Sequence, residues 1–182
     1  VDFAEIDPPY GIDLVNSKKG NMDGLANYEE VEAKDYSVFI SKLLEETFRV
    51  LKPNRFAILW YGEALISHTQ YFPCGCGTTK EVTSTQRRSN LLTQQAIKAG
   101  FTVSPIPGLW VKQNFAGQTQ TPKYALANCY EAFLILRKGS PELVKQGAGN
   151  VFAATPVAAQ NKIHPTERPE SLLTDILNVF CS

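Results

Sequence analysis

The chain has no excess of charge of either sign. Its 182 residues include 18 basic and 18 acidic side chains, so the formal net charge is zero. Binding to nucleic acid depends largely on neutralising phosphates, which usually requires a basic surface. The charge balance therefore argues against a free-standing nucleic-acid-binding module, although it leaves room for a local basic surface.

Long apolar runs and a secretion signal are also absent. No stretch approaches the roughly 18 apolar residues of a membrane span, and no signal-peptide pattern opens the chain. We therefore expect a cytoplasmic protein whose cysteines are reduced thiols. Cys74 and Cys76 lack the two-residue spacer of a zinc knuckle, so we expect no metal, with metal binding by this pair as the lesser alternative. The chain begins at Val1 in an apolar stretch, which suggests either a piece of a longer protein or a processed product.

The pattern of apolar residues predicts strands that alternate with helices. Val1–Ile6 alternates like a strand and stops at two prolines, which cannot continue it. A helix is predicted from its cap at Asp35 to about Leu51, because apolar residues recur there at three and four. The apolar run Arg55–Gly62 predicts a strand buried on both faces. Strand, helix and strand form a βαβ unit, which indicates an α/β domain.

The rest of the chain shows no domain boundary, so residues 1–182 are expected to form a single domain. The polar segment Gly11–Lys34 is typical of a long surface loop. Glu63–Gln70 is expected to form a short helix, Tyr71–Ser89 an insertion or loop, and Ser140–Lys162 an irregular segment. The remaining predicted elements are a helix at Asn90–Ala99 stopped by Gly100, a proline-broken strand at Phe101–Lys112, a strand at Tyr130–Arg137 and a helix at Arg168–Phe180.

The sharpest chemical feature is the turn Asp7-Pro8-Pro9-Tyr10 at the end of the first predicted strand. An exocyclic base amine is a poor nucleophile because its lone pair is delocalised into the ring. The Asp7 carboxylate and the Pro8 carbonyl could accept its two N–H bonds and direct that lone pair toward a methyl donor. The prolines keep the turn rigid, and Tyr10 offers a ring on which an extruded base would gain about 1–3 kcal/mol. Taken alone, these four residues could also form a stiff turn without any function.

Further segments follow this turn in a characteristic order. They are Arg49-Val50-Leu51-Lys52-Pro53 at a helix end, the strand Phe56–Gly62, Trp110-Val111-Lys112, the strand Glu131–Gly139, and His164-Pro165-Thr166-Glu167-Arg168-Pro169 before a helix. In this order the chain resembles the beta class of DNA amino-methyltransferases, which modify adenine N6 or cytosine N4.

The resemblance implies both a fold and an activity. The fold would be Rossmann-like, with a mostly parallel sheet, helices on both faces, and part of the domain missing. The activity would be transfer of a methyl group from S-adenosylmethionine (SAM) to adenine N6 of a base flipped out of double-stranded DNA. Asp rather than Ser at position 7 favours adenine over cytosine N4. A bacterial or phage restriction-modification enzyme is expected, and a homodimer remains open.

The resemblance also assigns residues to the cofactor and to DNA. The methionine end of SAM would contact His164, Thr166 and Arg168, with Pro169 closing that segment and Asp7 beside the donor. Alternatively, the prolines there only shape a helix entry that Thr166 caps. Four basic residues are candidates for phosphate contacts, or else belong to solvated charged loops: Lys18, Lys19, Arg87 and Arg88. Glu131 could face the target pocket or solvent.

The chain also departs from the family pattern. The family continues after the His-Pro helix with a strand and a Gly-Ser-Gly turn that cradles the cofactor, whereas this chain ends at Cys181-Ser182. The family commonly carries a recognition region between the strand ending at Gly139 and His164, and this segment is short here. Either Gly11–Lys34 and Tyr71–Ser89 read the DNA sequence, or the recognition part is small or supplied elsewhere. The alternatives are a cytosine-N4 enzyme, an enzyme acting on RNA or on a protein amide, and an incomplete methylase that only binds DNA or a partner.

Overall fold

The computed structural model describes residues 1–9, 31, 35–73, 79–113, 122–163 and 167–181. Several residues named above therefore lie outside the described residues: Tyr10, Lys18, Lys19, Cys74, Cys76, His164 and Thr166. None of the helices in the described ranges has both the length and the apolar character needed to cross a membrane.

The described residues form strands and helices in alternation, as the sequence predicts. The strands are β1 (Phe3–Ile6), β2 (Arg55–Tyr61), β3 (Leu65–Pro73), β4 (Thr79–Arg87), β5 (Thr102–Val103), β6 (Gly108–Lys112), β7 (Tyr130–Lys138) and β8 (Val151–Ala154). The helices are α1 (Tyr36–Val50), α2 (Arg88–Lys98) and α3 (Glu170–Phe180), with a 3-10 turn at Ala159–Asn161.

The main sheet has the order β1-β2-β7-β6-β8, and β5 pairs with β7 next to β6. β1 runs parallel to β2, β6 runs parallel to β8, and β7 runs antiparallel to β2, β5 and β6. All strands of this sheet except β7 therefore share one direction. The predicted βαβ unit is confirmed, because β1 and β2 are parallel neighbours joined through α1.

Strand β2 lies between two hydrophobic cores and belongs to both. Ala57, Leu59 and Tyr61 pack in the core that contains buried residues of α1 and α2. The alternate residues Phe56, Ile58 and Trp60 pack in the core that contains buried residues of α3. Successive side chains of a strand point to opposite faces, so one apolar run supplies both cores. This confirms the prediction of a strand buried on both faces, with helices on each side of the sheet.

Four local predictions are wrong. Glu63–Gln70, predicted as a helix, contributes to β3, and most of the predicted loop Tyr71–Ser89 belongs to β3 and β4. Among the described residues these two strands pair only with each other, and their polar sequence carries no alternating apolar signal. The segment Ser140–Lys162, predicted to be irregular, contains β8, which is only four residues long. Asp35 does precede α1, but its side chain makes no capping hydrogen bond.

The absence of a side chain at Gly108 makes room for the Phe133 ring. A Cβ atom at Gly108 would lie 2.1 Å from Cζ of Phe133, whose ring is fully buried. We expect Gly108→Ala to lower the free energy of unfolding by about 1–3 kcal/mol, because the ring has to move within a packed core. Urea denaturation measures the change. The control is Gly149→Ala, where nothing lies within 4 Å of the added atom; equal midpoints for the two variants would contradict the packing described.

The hydroxyl of Tyr36 is buried at the start of α1. The residue is 4% exposed, and its hydroxyl has no hydrogen-bond partner within the described part of the chain. Burial raises the pKa of Tyr36 to about 12, against an opposing effect of Arg88. The unfolded chain should ionise near pH 10. The contribution of this group to stability is therefore complete below pH 10 and is lost as the pH rises toward 12.

Tyr36→Phe should consequently stabilise the protein. At pH 8 we expect a gain of about 1 kcal/mol, because a buried hydroxyl without a partner is removed. The gain should grow above pH 10, where only the wild type loses stability through this group. Denaturation at pH 8 and pH 10.5 measures both effects, with Tyr124→Phe, at an 81% exposed residue, as the control. A gain that stays constant between the two pH values would rule out the proposed ionisation.

Candidate active site

The candidate site lies at the edge of the sheet where the parallel strands end. Asp7 follows directly after β1, and Lys112 is the last residue of β6. Because β7 runs in the opposite direction, its first residues, including Glu131, lie at the same edge. Arg168 reaches this edge from the segment that precedes α3. Ligands of open α/β sheets bind at this edge, so the position suits a functional site.

Arg168 connects the other charged groups of the site. Its Nη1 atom donates to Oδ2 of Asp7 at 2.5 Å, and its Nη2 atom donates to Oε2 of Glu131 at 3.3 Å. Lys112 Nζ lies 3.4 Å from Oε1 of Glu131. Within the described residues, two cations and two carboxylates thus form one network. Its members come from the residue after β1, from β6 and β7, and from the segment before α3.

The Arg168 guanidinium rests on a fixed aromatic surface. Its Cζ atom lies 4.1 Å from the ring centroid of Trp60, which is fully buried. The indole nitrogen of Trp60 in turn donates to Oε1 of Glu5 at 2.8 Å. Stacking and ion pairing restrict a guanidinium in different directions, so Arg168 is held in one place.

The side chains of the network differ in their exposure to solvent, and the carboxylates are the more exposed groups. The side chain of Arg168 is 9% exposed, whereas those of Asp7 and Glu131 are 29% and 34% exposed. The cation is therefore enclosed, and both carboxylates can be reached from solvent. Such an arrangement presents an oriented carboxylate that can accept hydrogen bonds from an incoming amine.

The structure brings together two of the residues that the sequence predicts for the site. Asp7 and Arg168 are 161 residues apart and in direct contact. Pro8 and Pro169 are buried beside them, and Pro9 is partly buried. Pro169 directly precedes α3, with an extended backbone at φ −61° and ψ 136°.

The two arginines proposed for phosphate contacts lie in different surroundings. Arg87 is exposed, and its Nη1 atom lies 4.0 Å from Oε1 of Glu63. Arg88 is only 2% exposed, and its Nη1 atom donates to the carbonyl oxygen of Gly62 at 2.5 Å. A phosphate contact needs an accessible side chain, so the buried position of Arg88 does not suit that role. It instead joins the end of β2 to the start of α2.

Sequence reasoning missed the parts of the site that act through packing. Trp60 belongs to an apolar run that predicts only a buried strand, and Glu5 looks like the polar position of an alternating strand. Lys112 was noted only as part of a motif, without a role. Only the contacts across β1, β2, β6 and β7 show that these side chains support Arg168. Among the described residues, no cluster of His, Cys, Asp and Glu is arranged to hold a metal ion.

Comparison with known proteins identifies the fold. No protein-family model matches the chain, and no curated protein does. Solved structures do match over 100% of the chain: M1.HpyAVI in complex with SAM (TM-score 0.61, 14% identity), M1.HpyAVI alone (0.55, 12%), and TTHA0409 from Thermus thermophilus, described as a candidate DNA modification methylase (0.54, 16%).

One of these neighbours is solved with SAM and another is described as a candidate DNA modification methylase, and at such low identity the likeness establishes the fold alone. The Rossmann-like methyltransferase fold predicted from the sequence is therefore confirmed. The chain corresponds to 67%, 66% and 67% of the three neighbouring chains, so it spans about two thirds of each.

Replacing Arg168 by Met should destabilise the fold. The variant keeps much of the side-chain bulk but leaves Asp7 and Glu131 without their shared cation, so we expect a loss of about 1–3 kcal/mol. The control is Arg49→Met, which removes an ion pair with Glu46 whose side chains are 69% and 64% exposed. Exposed pairs contribute little, so this change should stay below about 0.5 kcal/mol. Chemical denaturation compares the two, and equal losses would speak against a central role for Arg168.

Proposed function

We propose that this chain carries the methyl-acceptor side of a SAM-dependent DNA methyltransferase that modifies adenine N6. The observation that carries the proposal is the Asp7 carboxylate, which stands in an Asp-Pro-Pro turn at the end of β1 and is oriented by Arg168 at 2.5 Å. The methyltransferase fold supports the reaction type, and the solved complex of M1.HpyAVI with SAM supports the donor.

The Asp7 carboxylate has the properties that the acceptor amine requires. It can accept one N–H bond of the amine in addition to the bond from Arg168, because an ionised carboxylate has about four lone-pair sites. The Pro8 carbonyl is the proposed acceptor for the second N–H bond. With both bonds engaged, the nitrogen lone pair points away from the ring plane and toward the donor. Transfer would form an N–CH₃ bond as the S–CH₃ bond of the donor breaks and the donor leaves as a neutral thioether. The amine would release one proton to the Asp7 carboxylate and from there to solvent.

Arg168 fixes the direction in which Asp7 points. The guanidinium is itself restrained by the Trp60 ring and by Glu131, so the carboxylate has little freedom to turn. Restraint of this kind matters for rate, because reacting atoms have to approach within about 3–3.5 Å in line. We therefore assign Arg168, Glu131 and Trp60 a positioning role in the proposed reaction.

The cofactor assignments rest on the donor set of the segment before α3. A guanidinium pairs well with a carboxylate, which the methionine end of SAM carries. Arg168, together with His164 and Thr166, is therefore proposed to hold that end, with Pro169 shaping the segment. When bound, SAM supplies an electrophilic methyl group on a sulfonium.

The DNA assignments extend the proposal for Asp7 to residues that the sequence nominates. A base in duplex DNA has to be flipped out to reach Asp7, and Tyr10 is proposed to stack on it. Lys18, Lys19 and Arg87 remain proposed phosphate contacts, whereas the buried Arg88 is left out. Adenine is proposed over cytosine because position 7 is Asp rather than Ser. A cytoplasmic bacterial or phage restriction-modification enzyme is the proposed context.

The test uses Asp7→Asn in the protein that contains this chain. The variant keeps the shape of the side chain but removes the charge that localises the lone pair, so we expect methyl transfer to fall by about 100-fold or more. SAM binding, measured by calorimetry, should change much less. The control is Asp2→Asn near the opposite end of β1, where the exposed carboxylate pairs with Lys52 at 2.9 Å; it should retain full activity.

The outcome is measured with labelled SAM on duplex DNA, followed by mass spectrometry of the nucleosides. N6-methyladenine is the expected product. Formation of N4-methylcytosine would overturn the choice of base while leaving the chemistry in place. Undiminished transfer by Asp7→Asn would overturn the role of Asp7, and transfer to RNA or protein alone would overturn the substrate class.

A further inference from the structure

Strands β3 and β4 form a ribbon that is separate from the main sheet. Nine residue pairs join them in antiparallel register, from Leu65 with Arg87 to Pro73 with Thr79. Within the described residues, neither strand pairs with any other. The main contact of this β3–β4 ribbon with other elements is with α2, the helix that follows it directly.

The ribbon begins at the same edge of the main sheet as the candidate site. β2 ends at Tyr61, and its neighbour β1 ends at Ile6, which pairs with Leu59. The ribbon therefore begins four residues after the end of the strand adjacent to Asp7. Neighbouring strands are about 4.8 Å apart, so its root and the Asp7 carboxylate belong to the same small area of the surface.

Arg88 fastens the root of the ribbon. Its backbone nitrogen donates to the carbonyl oxygen of Ala64 at 2.9 Å, and its guanidinium donates to that of Gly62. The side chain is buried, with its Cζ atom 6.0 Å from the ring centroid of Tyr36. The backbone on both sides of the ribbon is thus tied to one enclosed side chain, which fixes the place from which the ribbon extends.

The dimensions of the ribbon match those of a DNA groove. The eight intervals between nine strand residues, at a rise of about 3.4 Å each, extend over roughly 27 Å. The major groove of B-DNA is about 12 Å wide and 8.5 Å deep, which admits a two-stranded ribbon. Proteins that read DNA with β-ribbons use strands in this way. A ribbon of this length reaches base pairs within about one helical turn of the position from which it extends.

The sequence of the ribbon suits base edges better than phosphates. Half of the residues in the two strands are Ser, Thr, Gln or His, which can both donate and accept hydrogen bonds. Lys80, Glu81 and Arg87 are the only charged residues in them. Phosphate contacts position a protein, whereas hydrogen bonds to base edges specify sequence. The composition therefore favours sequence reading over general electrostatic attraction.

We propose that the β3–β4 ribbon is the element that reads the DNA sequence around the methylated base, by entering the major groove next to the flipped adenine. This inference rests on the proposed function, because it takes DNA as the substrate held at Asp7. Of the two segments that the sequence offers for reading DNA, Gly11–Lys34 and Tyr71–Ser89, it assigns recognition to the second.

The experiment determines which sites the protein methylates in a library of random duplex DNA. The wild type should yield a defined sequence motif around the target adenine. In the ribbon, His68→Ala, Gln70→Ala and Ser84→Ala should each weaken the preference at one or two positions of that motif by about tenfold. The matched control is Gln146→Ala, near the opposite edge of the sheet. This position is close to the backbone hydrogen bond that Val144 donates to Val179. The sequence motif that this variant methylates should be that of the wild type.

A second measurement changes the DNA and leaves the protein intact. Replacing purines that flank the target with 7-deaza analogues removes the N7 acceptor of the major groove, and we expect transfer to fall by about tenfold. Replacing guanine with inosine removes only the N2 amine of the minor groove and should have little effect. Loss with inosine and not with 7-deaza purines would overturn the major-groove placement.

The two proposals fail in distinguishable ways. If the wild type is active on DNA and Asp7→Asn is not, but all ribbon variants keep the wild-type motif, then the ribbon proposal is wrong and the proposed function stands. A wild type that methylates DNA without any sequence preference also overturns the ribbon proposal. If the wild type transfers no methyl group to DNA at all, the proposed function itself is wrong.

Discussion

The guanidinium of Arg168 is the group on which the arrangement of the site depends. It is enclosed, it stacks on Trp60, and it donates to carboxylates from two different strands. An enclosed cation is stable only when its donors are paired, so its burial requires Asp7 and Glu131 to stay where they are. Because β1, β7 and the segment before α3 all contribute, the site can form only after the sheet and the last helix have packed together.

The antiparallel direction of β7 allows Glu131 and Asp7 to reach Arg168 at the same edge of the sheet. A strand parallel to its neighbours would place its carboxyl end at the site, whereas β7 places its first residues there. Glu131 therefore faces the same edge as Asp7 and Lys112, although it opens a strand and they follow or end one. The single antiparallel strand also lies at the centre of the sheet, between β2 and β6, so the edge receives side chains from both halves of the molecule.

The sequence predicts those elements of this fold in which a single pattern of apolar residues or prolines dominates. The run ending at Tyr61 predicts a buried strand because both its faces meet apolar cores, and the turn at Asp7 can be recognised because two prolines have to end β1. Sequence reasoning fails for the β3–β4 ribbon, whose strands show no apolar alternation and, in the part of the chain that the structure describes, pair only with each other. It also fails for the contacts of Arg168, because stacking on Trp60 and pairing with Asp7 depend on strand order, which local patterns do not encode. Asp7 and Arg168 were each predicted as site residues, but nothing in their spacing indicates that they touch.

The attachment of the ribbon to the body affects where the sequences of related chains can vary. The ribbon joins the body next to Arg88, and within the described residues its two strands pair with each other and mainly contact α2. Substitutions along its length therefore leave the described strand pairing of the main sheet unchanged, while Arg88 and the backbone of Gly62 and Ala64 hold its root. A lineage could alter the outer part of the molecule freely and keep the machinery beneath it unchanged, so related chains should differ most between residues 65 and 87 and least around Asp7 and Arg168.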